Sequence, residues 1–387
     1  MVMLKRKKWW FIAAGALLLV AGTFWVRAVR SLAASPNPVS ETDSLLYIPT
    51  DSLLYIPLER TVLARQDFLR AYRMSDKQHA MALYEKFLPR IGANGLGKEI
   101  QTVNPFCHAE AHDLGKLIFS RLQDVGASLE SCADACTSGC MHGVLMQFFT
   151  ASGSTGGSGH QHSQSAQLTA SDIAGRVSTF CESAALTRMY RPGDCAHGVG
   201  HAAMFLSKYD AAAGIGLCEG FPSYGLRYYC ATGAYMEFWW TRSRPRQPID
   251  AALNPCDKAL YPAACFRYAM TSMVSKHYRS GGTLETLQRQ CAGLSAKYRL
   301  GCFHGLGFAH LARIAGGRIT LAEVCGYGTR ADQTVCIEGA MERLGRFSQV
   351  LAASRCESLT DWRRGVCQAA AEREMYDTEK SFALYRR

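Results

Sequence analysis

The sequence predicts an all-α fold, specifically a right-handed α-solenoid of about eight disulfide-stapled helical hairpins that follows an N-terminal transmembrane helix. The prediction rests on 16 cysteines in 387 residues, on their recurrence at a period of about 35 residues, and on an apolar segment near the N-terminus. The composition, 48% hydrophobic and 19% charged, is that of a folded globular chain.

The cysteines mark an internal repeat. Eight of them open short phrases, most clearly Cys-x-His-Gly at Cys140, Cys195 and Cys302, and most intervals between them are about 35 residues. One interval is longer because it contains residues 151–170, a Gly/Ser/Gln-rich segment that indicates an inserted flexible loop. This period is typical of stacked helical hairpins. The phrase cysteines are Cys107, Cys140, Cys195, Cys230, Cys265, Cys302, Cys336 and Cys367.

Each repeat predicts two helices joined by a disulfide. In the clearest case an amphipathic segment ends at Cys291, a polar turn follows, and a longer apolar helix begins near Cys302. A bridge there closes a loop of about ten residues, which stabilises a fold by about 2–3 kcal/mol in the chain-entropy model. The same spacing pairs Cys181 with Cys195, Cys218 with Cys230, Cys256 with Cys265, Cys291 with Cys302, Cys325 with Cys336, and Cys356 with Cys367.

Four cysteines remain, and their pairing stays open. If Cys132 pairs with Cys140 at the hairpin spacing, Cys107 is left for Cys136, but sequence does not fix connectivity. Free thiols or a metal–thiolate site are the alternatives. The regular pairs resemble those of the cysteine-rich, disulfide-bridged helical-hairpin repeat proteins that some bacteria secrete. The resemblance is to their tetratricopeptide-like architecture, and it implies an α-solenoid.

The N-terminus predicts a membrane anchor. A basic cluster at residues 5–8 precedes an apolar run, residues 9–26, which is just long enough to span a bilayer at about 18 residues. The basic side is expected to stay in the cytoplasm, which places the rest of the chain in a disulfide-permissive space, a bacterial periplasm or cell surface. Cleavage as a signal peptide near Ala34 is the alternative.

Three segments follow from this organisation. We expect a cytoplasmic basic tip and transmembrane signal anchor in residues 1–30 and a juxtamembrane linker with a tandem octapeptide in residues 31–57. Residues 58–387 would form the extracytoplasmic repeat domain. Six basic residues between positions 5 and 30 supply six charges of the net +11, and no basic stripe indicates nucleic acid as a partner. The expected partners are the membrane and an envelope protein or peptide.

Histidines carry the functional signal in this sequence. The chain has 11, and two pairs lie four residues apart, a spacing that puts both imidazoles of a pair on one face of a helix. Imidazole ligands suit zinc, copper or iron. The sequence therefore predicts a transition-metal site. Its candidate ligands are His108, His112, His142, His197, His201 and His304.

Two carboxylates beside the first histidine pair are candidate catalytic groups. Glu110 or Asp113 would help to activate a metal-bound water if the site is catalytic, a question that the sequence leaves open. The alternative is that the histidines are satisfied core residues in one packing register. Other repeats hold Thr232 and Arg267 at that register.

Glycines follow the phrase histidines, as at Gly143, Gly198 and Gly305. Glycine costs a helix about 1 kcal/mol relative to alanine, so its repeated use predicts close contact between helices. Access for a ligand beside the histidines is the alternative interpretation.

Two other functions are compatible with the sequence. Residues 112–116, His-Asp-Leu-Gly-Lys, resemble the His-Asp motif of the HD superfamily of metal-dependent phosphohydrolases. That resemblance implies that His112 and Asp113 bind a divalent metal. The other alternative is a metal-free scaffold that binds a protein or peptide through aromatic residues such as Tyr228, Trp239 and Trp240.

Overall fold

The described part of the chain is all-helical, as predicted. The computed structural model describes residues 58–75, 80–104, 107–132, 135–152, 190–242 and 255–373, together with Gly175 and Cys181. These residues form 16 α-helices and one short 3-10 helix, and they contain no strand. No helix among them is both long and apolar enough to cross a membrane. The predicted anchor, the linker and nearly all of the predicted insert lie outside the described residues.

The helices alternate between longer and shorter elements. The first half contains α1 (Leu58–Met74), α2 (Ala80–Val103), α3 (His108–Leu122), α4 (Val125–Ser131), α5 (Gly139–Ser152), α6 (Pro192–Leu206), α7 (Ala211–Cys218) and α8 (Tyr224–Arg242). After the 3-10 helix Cys256–Lys258 come α9 (Pro262–Arg279), α10 (Leu284–Ala292), α11 (Ala296–Ala309), α12 (Leu311–Ala315), α13 (Leu321–Cys325), α14 (Arg330–Phe347), α15 (Gln349–Cys356) and α16 (Asp361–Glu372).

The helices that carry the phrase cysteines pack against one another in chain order. Each successive pair in the series α3, α5, α6, α8, α9, α11, α14 and α16 is in contact. The shorter helices α4, α7, α10, α13 and α15 each pack against their own repeat's phrase helix. This neighbour-to-neighbour pattern is what stacked hairpins produce. The handedness and superhelical form of the stack remain a prediction.

All cysteines of the chain are paired, in eight disulfides. The six hairpin bridges form as predicted. Cys132 pairs with Cys140 and Cys107 with Cys136, so the free-thiol and metal–thiolate alternatives are wrong. All but one bridge join cysteines 8 to 14 residues apart. The exception is Cys107–Cys136, which spans 29 residues.

Glycines bring the phrase helices into backbone contact. A Cβ on Gly115 of α3 would lie 1.9 Å from the carbonyl oxygen of Cys140 in α5, and one on Gly143 would lie 2.0 Å from that of His112. The same reciprocal contact recurs between α6 and α8 and between α11 and α14. The interpretation of the glycines as residues of close helix contact is therefore confirmed. It also explains why side chains from neighbouring repeats meet in the core.

Candidate metal centre

Five histidines of the first three cysteine repeats converge in the core. They are His108 and His112 on α3, His142 on α5, and His197 and His201 on α6. Centroids of the contacting rings are 4.6 to 6.3 Å apart. Every one of these side chains is buried, and the most exposed is His108 at 6%. Five of the six predicted ligands are thus brought together.

Four of the five form a group with metal-site dimensions. One ring nitrogen from each of His108, His142, His197 and His201 lies within 4.8 Å of the others. His142 Nδ1 is 3.3 Å from His108 Nε2, and His201 Nε2 is 3.2 Å from His197 Nε2. A tetrahedral ion with metal–nitrogen bonds of about 2.0–2.1 Å has nitrogen–nitrogen edges of about 3.3–3.4 Å. The closest pairs already have nearly this spacing.

The outward nitrogens of His108 and His142 face carbonyl groups. His108 Nδ1 lies 3.1 Å from the carbonyl oxygens of Cys136 and Thr137, and His142 Nε2 lies 3.0 Å from that of Asp194. A carbonyl oxygen only accepts, so each of these nitrogens carries the proton and donates. In the neutral rings, His108 Nε2 and His142 Nδ1 are therefore lone-pair nitrogens, and they face each other.

The outward nitrogens of the α6 pair also face oxygens, both supplied by α8. His197 Nδ1 is 2.7 Å from Thr232 Oγ1, and this hydroxyl donates its own proton to the Tyr229 carbonyl at 2.6 Å. The hydroxyl must therefore accept from His197. His201 Nδ1 donates to Glu237 Oε2 at 3.1 Å. In the neutral form of each ring the inward Nε2 atom again presents a lone pair, an arrangement that fixes tautomers at metal sites.

Burial favours the neutral form of three of these imidazoles, those of His108, His142 and His197. It lowers the pKa of His108 to about 3 from an ordinary 6.5, and repulsion from a charge on His201 adds to the effect. Burial likewise holds the pKa of His142 and of His197 well below 6.5, with repulsion from neighbouring histidines as a further cause. Metals bind the deprotonated form of histidine, so these three rings are prepared for a cation at neutral pH.

His112 lies at the edge of the four-histidine group. Its Nε2 is 3.1 Å from His108 Nε2, and its ring centroid is 4.6 Å from that of His201. The ring of Trp240 lies against His112 and His201, at 5.9 and 6.4 Å between centroids, and Trp240 is 42% exposed. Trp240 therefore stands between the histidines and the solvent.

The sixth predicted ligand, His304, takes part in a different buried group. Its Nε2 lies 3.3 Å from Glu342 Oε2 and 3.5 Å from Arg267 Nη2, and Arg267 pairs with Glu342 at 2.5 Å. Burial alone would raise the pKa of the Glu342 carboxyl. The charge of Arg267 and the hydrogen bond with His304 outweigh burial and lower this pKa to about 2. This group is an ion pair with a histidine beside it.

The two predicted catalytic carboxylates lie on other faces of α3. Glu110 accepts a hydrogen bond from Asn104 Nδ2 at 3.3 Å, and Asp113 is exposed and pairs with Lys116 at 3.3 Å. The carboxylate that contacts the histidines is Glu237, which the sequence reasoning missed. A signal for it exists, because Glu237 is the one charged residue between Cys230 and Trp240.

The chain matches no protein-family model, no curated protein and no solved structure.

Proposed function

We propose that this protein is a membrane-anchored, extracytoplasmic helical-repeat protein that holds one transition metal ion in its buried histidine cluster. The observation that carries the proposal is the pair of lone-pair nitrogens on His108 and His142, 3.3 Å apart, whose partner nitrogens both donate to carbonyls. A cation between these two nitrogens would accept both lone pairs and form a bond with each ring.

The proposed ligand set consists of four neutral imidazoles, with His112 as a fifth ring in contact. Neutral imidazole suits zinc, copper or iron, and every cysteine is committed to a disulfide and supplies no thiolate. The ring partners Thr232 and Glu237 support the set, since hydrogen bonds of this kind orient a histidine and raise its basicity. Glu237 also supplies a negative charge next to the ion.

The burial of the site favours a closed centre that ties repeats together. Structural sites in proteins are closed and four-coordinate, whereas catalytic sites keep one position open. Most disulfides here join two helices of one hairpin, whereas the proposed ion would join α3, α5 and α6, which belong to three successive repeats. A catalytic role would need an open position, and His112 beside Trp240 is where it would form.

Features outside the histidine cluster support the proposed architecture, compartment and membrane anchor. The consecutive packing of the phrase helices supports an α-solenoid, which we propose to be right-handed. Eight disulfides support an oxidising compartment, the bacterial periplasm or cell surface. The membrane anchor rests on the apolar run in residues 9–26. An envelope protein or peptide remains the proposed class of partner.

The two alternative functions draw less support from the geometry. An HD-type hydrolase needs His112 and Asp113 on the same metal, but His112 is buried and Asp113 is exposed beside Lys116. A metal-free scaffold needs exposed aromatic residues, but Tyr228 and Trp239 are buried, and Trp240 is the exposed member of this group.

Metal analysis of the full chain, purified with its disulfides intact, tests the proposal. We expect one zinc, copper or iron ion per chain, lost in His142→Ala and in His197→Ala. The matched control is His310→Ala, because His310 is equally buried but bonds Tyr278 and the Leu306 carbonyl. A folded chain that binds no stoichiometric metal when offered each of the three would contradict the proposal.

A further inference from the structure

One disulfide departs from the pattern of one bridge within each helical hairpin. The hairpin bridge of its repeat is Cys132–Cys140, at a separation of 8 residues. Cys107–Cys136 is an additional bridge between the first turn of one repeat and the turn before α5, across 29 residues. Since hairpin stapling does not need it, this bridge calls for another explanation.

The backbone is unusual at the second cysteine of this bridge and at the two residues after it. Cys136, Thr137 and Ser138 have φ angles of 53°, 51° and 61°, in the left-handed region. This region is unfavourable for residues with a Cβ, and three such residues in succession persist only where their surroundings determine them. We refer to residues 136–138 as the left-handed turn.

The left-handed turn wraps around the outward nitrogen of His108. The carbonyl oxygens of Cys136 and Thr137 both lie 3.1 Å from His108 Nδ1, and Thr137 Oγ1 lies 3.0 Å from it. Cys107 directly precedes His108 and is the N-cap of α3. The disulfide thus links the start of the helix that carries His108 to the turn whose carbonyl oxygens accept the hydrogen bond from His108 Nδ1.

Other contacts hold the left-handed turn from its remaining sides. The backbone N–H of Cys136 donates to Gln101 Oε1 at 3.0 Å. Ser138 Oγ donates to Asp194 Oδ1 at 3.0 Å and accepts from Arg346 Nη2 at 3.3 Å. The carbonyl of the same Asp194 accepts from His142. The turn is therefore connected to two histidines of the cluster and to α14.

We infer that the left-handed turn and the Cys107–Cys136 disulfide are a positioning device for the metal site. They hold His108 in the tautomer whose Nε2 presents a lone pair to the ion, an inference that rests on the proposed function. Partners that orient a metal-bound histidine in this way typically account for about 10–100-fold in metal affinity.

Two pairs of variants test this inference in the full chain by zinc titration against a competing chelator. Cys107→Ala/Cys136→Ala should weaken zinc binding by about 10–100-fold, the usual cost of losing such partners. Cys356→Ala/Cys367→Ala, which removes a hairpin bridge in the last repeat, should change it little. Thr137→Gly keeps both carbonyls and accepts the left-handed backbone but removes the Oγ1 contact with His108, so it should weaken binding much less than Thr137→Pro, whose ring fixes φ near about −65°.

A second measurement needs no metal and reports the tautomer of His108 directly. Nitrogen-15 NMR of the His108 ring in the metal-free chain should show Nδ1 protonated in the wild type and a mixture of tautomers in the double cysteine variant. If the wild type binds none of zinc, copper and iron, the proposed function fails and this inference fails with it. If the wild type binds zinc and both Cys107→Ala/Cys136→Ala and Thr137→Pro bind it equally well, only the inference is overturned.

Discussion

His142 Nδ1 lies 3.3 Å from His108 Nε2, and both rings donate their single proton to carbonyl groups on the opposite side. The two residues stand on consecutive phrase helices, α5 and α3. Glycines let these helices touch, so the two rings meet in the core of the repeat stack. The consequence is a set of inward lone pairs that a cation would stabilise.

Thr232→Val should weaken metal binding by about 10–100-fold, since it removes the partner that orients His197. Valine keeps the shape of threonine but offers no acceptor to His197 Nδ1, which Thr232 Oγ1 contacts at 2.7 Å. Competition with a chelator measures the change. Thr271→Val on α9 is the control, because that hydroxyl donates to the Arg267 carbonyl of its own helix at 3.0 Å. An affinity within twofold of the wild type would argue against a role for Thr232.

The metal-free chain should lose stability as the pH falls below about 6.5, the ordinary histidine value. In the folded state the pKa of His108 is lowered to about 3, so the unfolded chain takes up a proton that the folded chain does not. Stability therefore falls by about 1.4 kcal/mol per pH unit for each such histidine.

Urea unfolding between pH 7 and pH 5 measures this effect in a window that lies above the ordinary carboxyl pKa of about 4.5. A free energy of unfolding that stays constant across the window would show that the buried histidines are already charged or become hydrated.

Glu342→Gln should destabilise the fold by about 3–5 kcal/mol, because it leaves the Arg267 guanidinium buried without its ionic partner. Arg267 is 0% exposed. The matched control is Glu285→Gln, which breaks the exposed pair with Arg289 and should cost no more than about 0.5 kcal/mol. Denaturant unfolding gives both numbers. Metal content should stay at the wild-type level in Glu342→Gln, and a loss of metal would mean that the two buried groups act as one site.

Gly233→Ala should destabilise the protein by about 1–3 kcal/mol or more through overpacking. Its Cβ would lie 1.9 Å from the His197 carbonyl oxygen, so α8 would have to move away from α6. Gly216→Ala on α7 is the control, since a Cβ there meets no atom within 4 Å. It should stabilise the helix by about 0.5–1 kcal/mol. Equal melting temperatures for the two variants would contradict the close helix contact.

Local features of the sequence predicted the repeat well, whereas contacts between repeats were harder to foresee. The hairpin pairs follow from cysteine spacing, because both partners lie within one repeat. Glu237 was missed because it meets His201 only through the packing of α8 on α6. The contacts of His304 with Arg267 and Glu342 were not predicted for the same reason, since these residues lie in different repeats. Glu110 lies two residues after His108, which places it on a different face of the helix, so its distance from the cluster follows from helical geometry.

Anomalous X-ray diffraction from crystals of the metal-loaded chain tests the metal centre most directly. We predict a single peak at about 2.0–2.1 Å from His108 Nε2, His142 Nδ1, His197 Nε2 and His201 Nε2. The peak should appear at the absorption edge of zinc, copper or iron. Crystals from protein equilibrated with all three metals that show no peak in the cluster, with the imidazoles instead joined by N–H···N hydrogen bonds, would contradict the account.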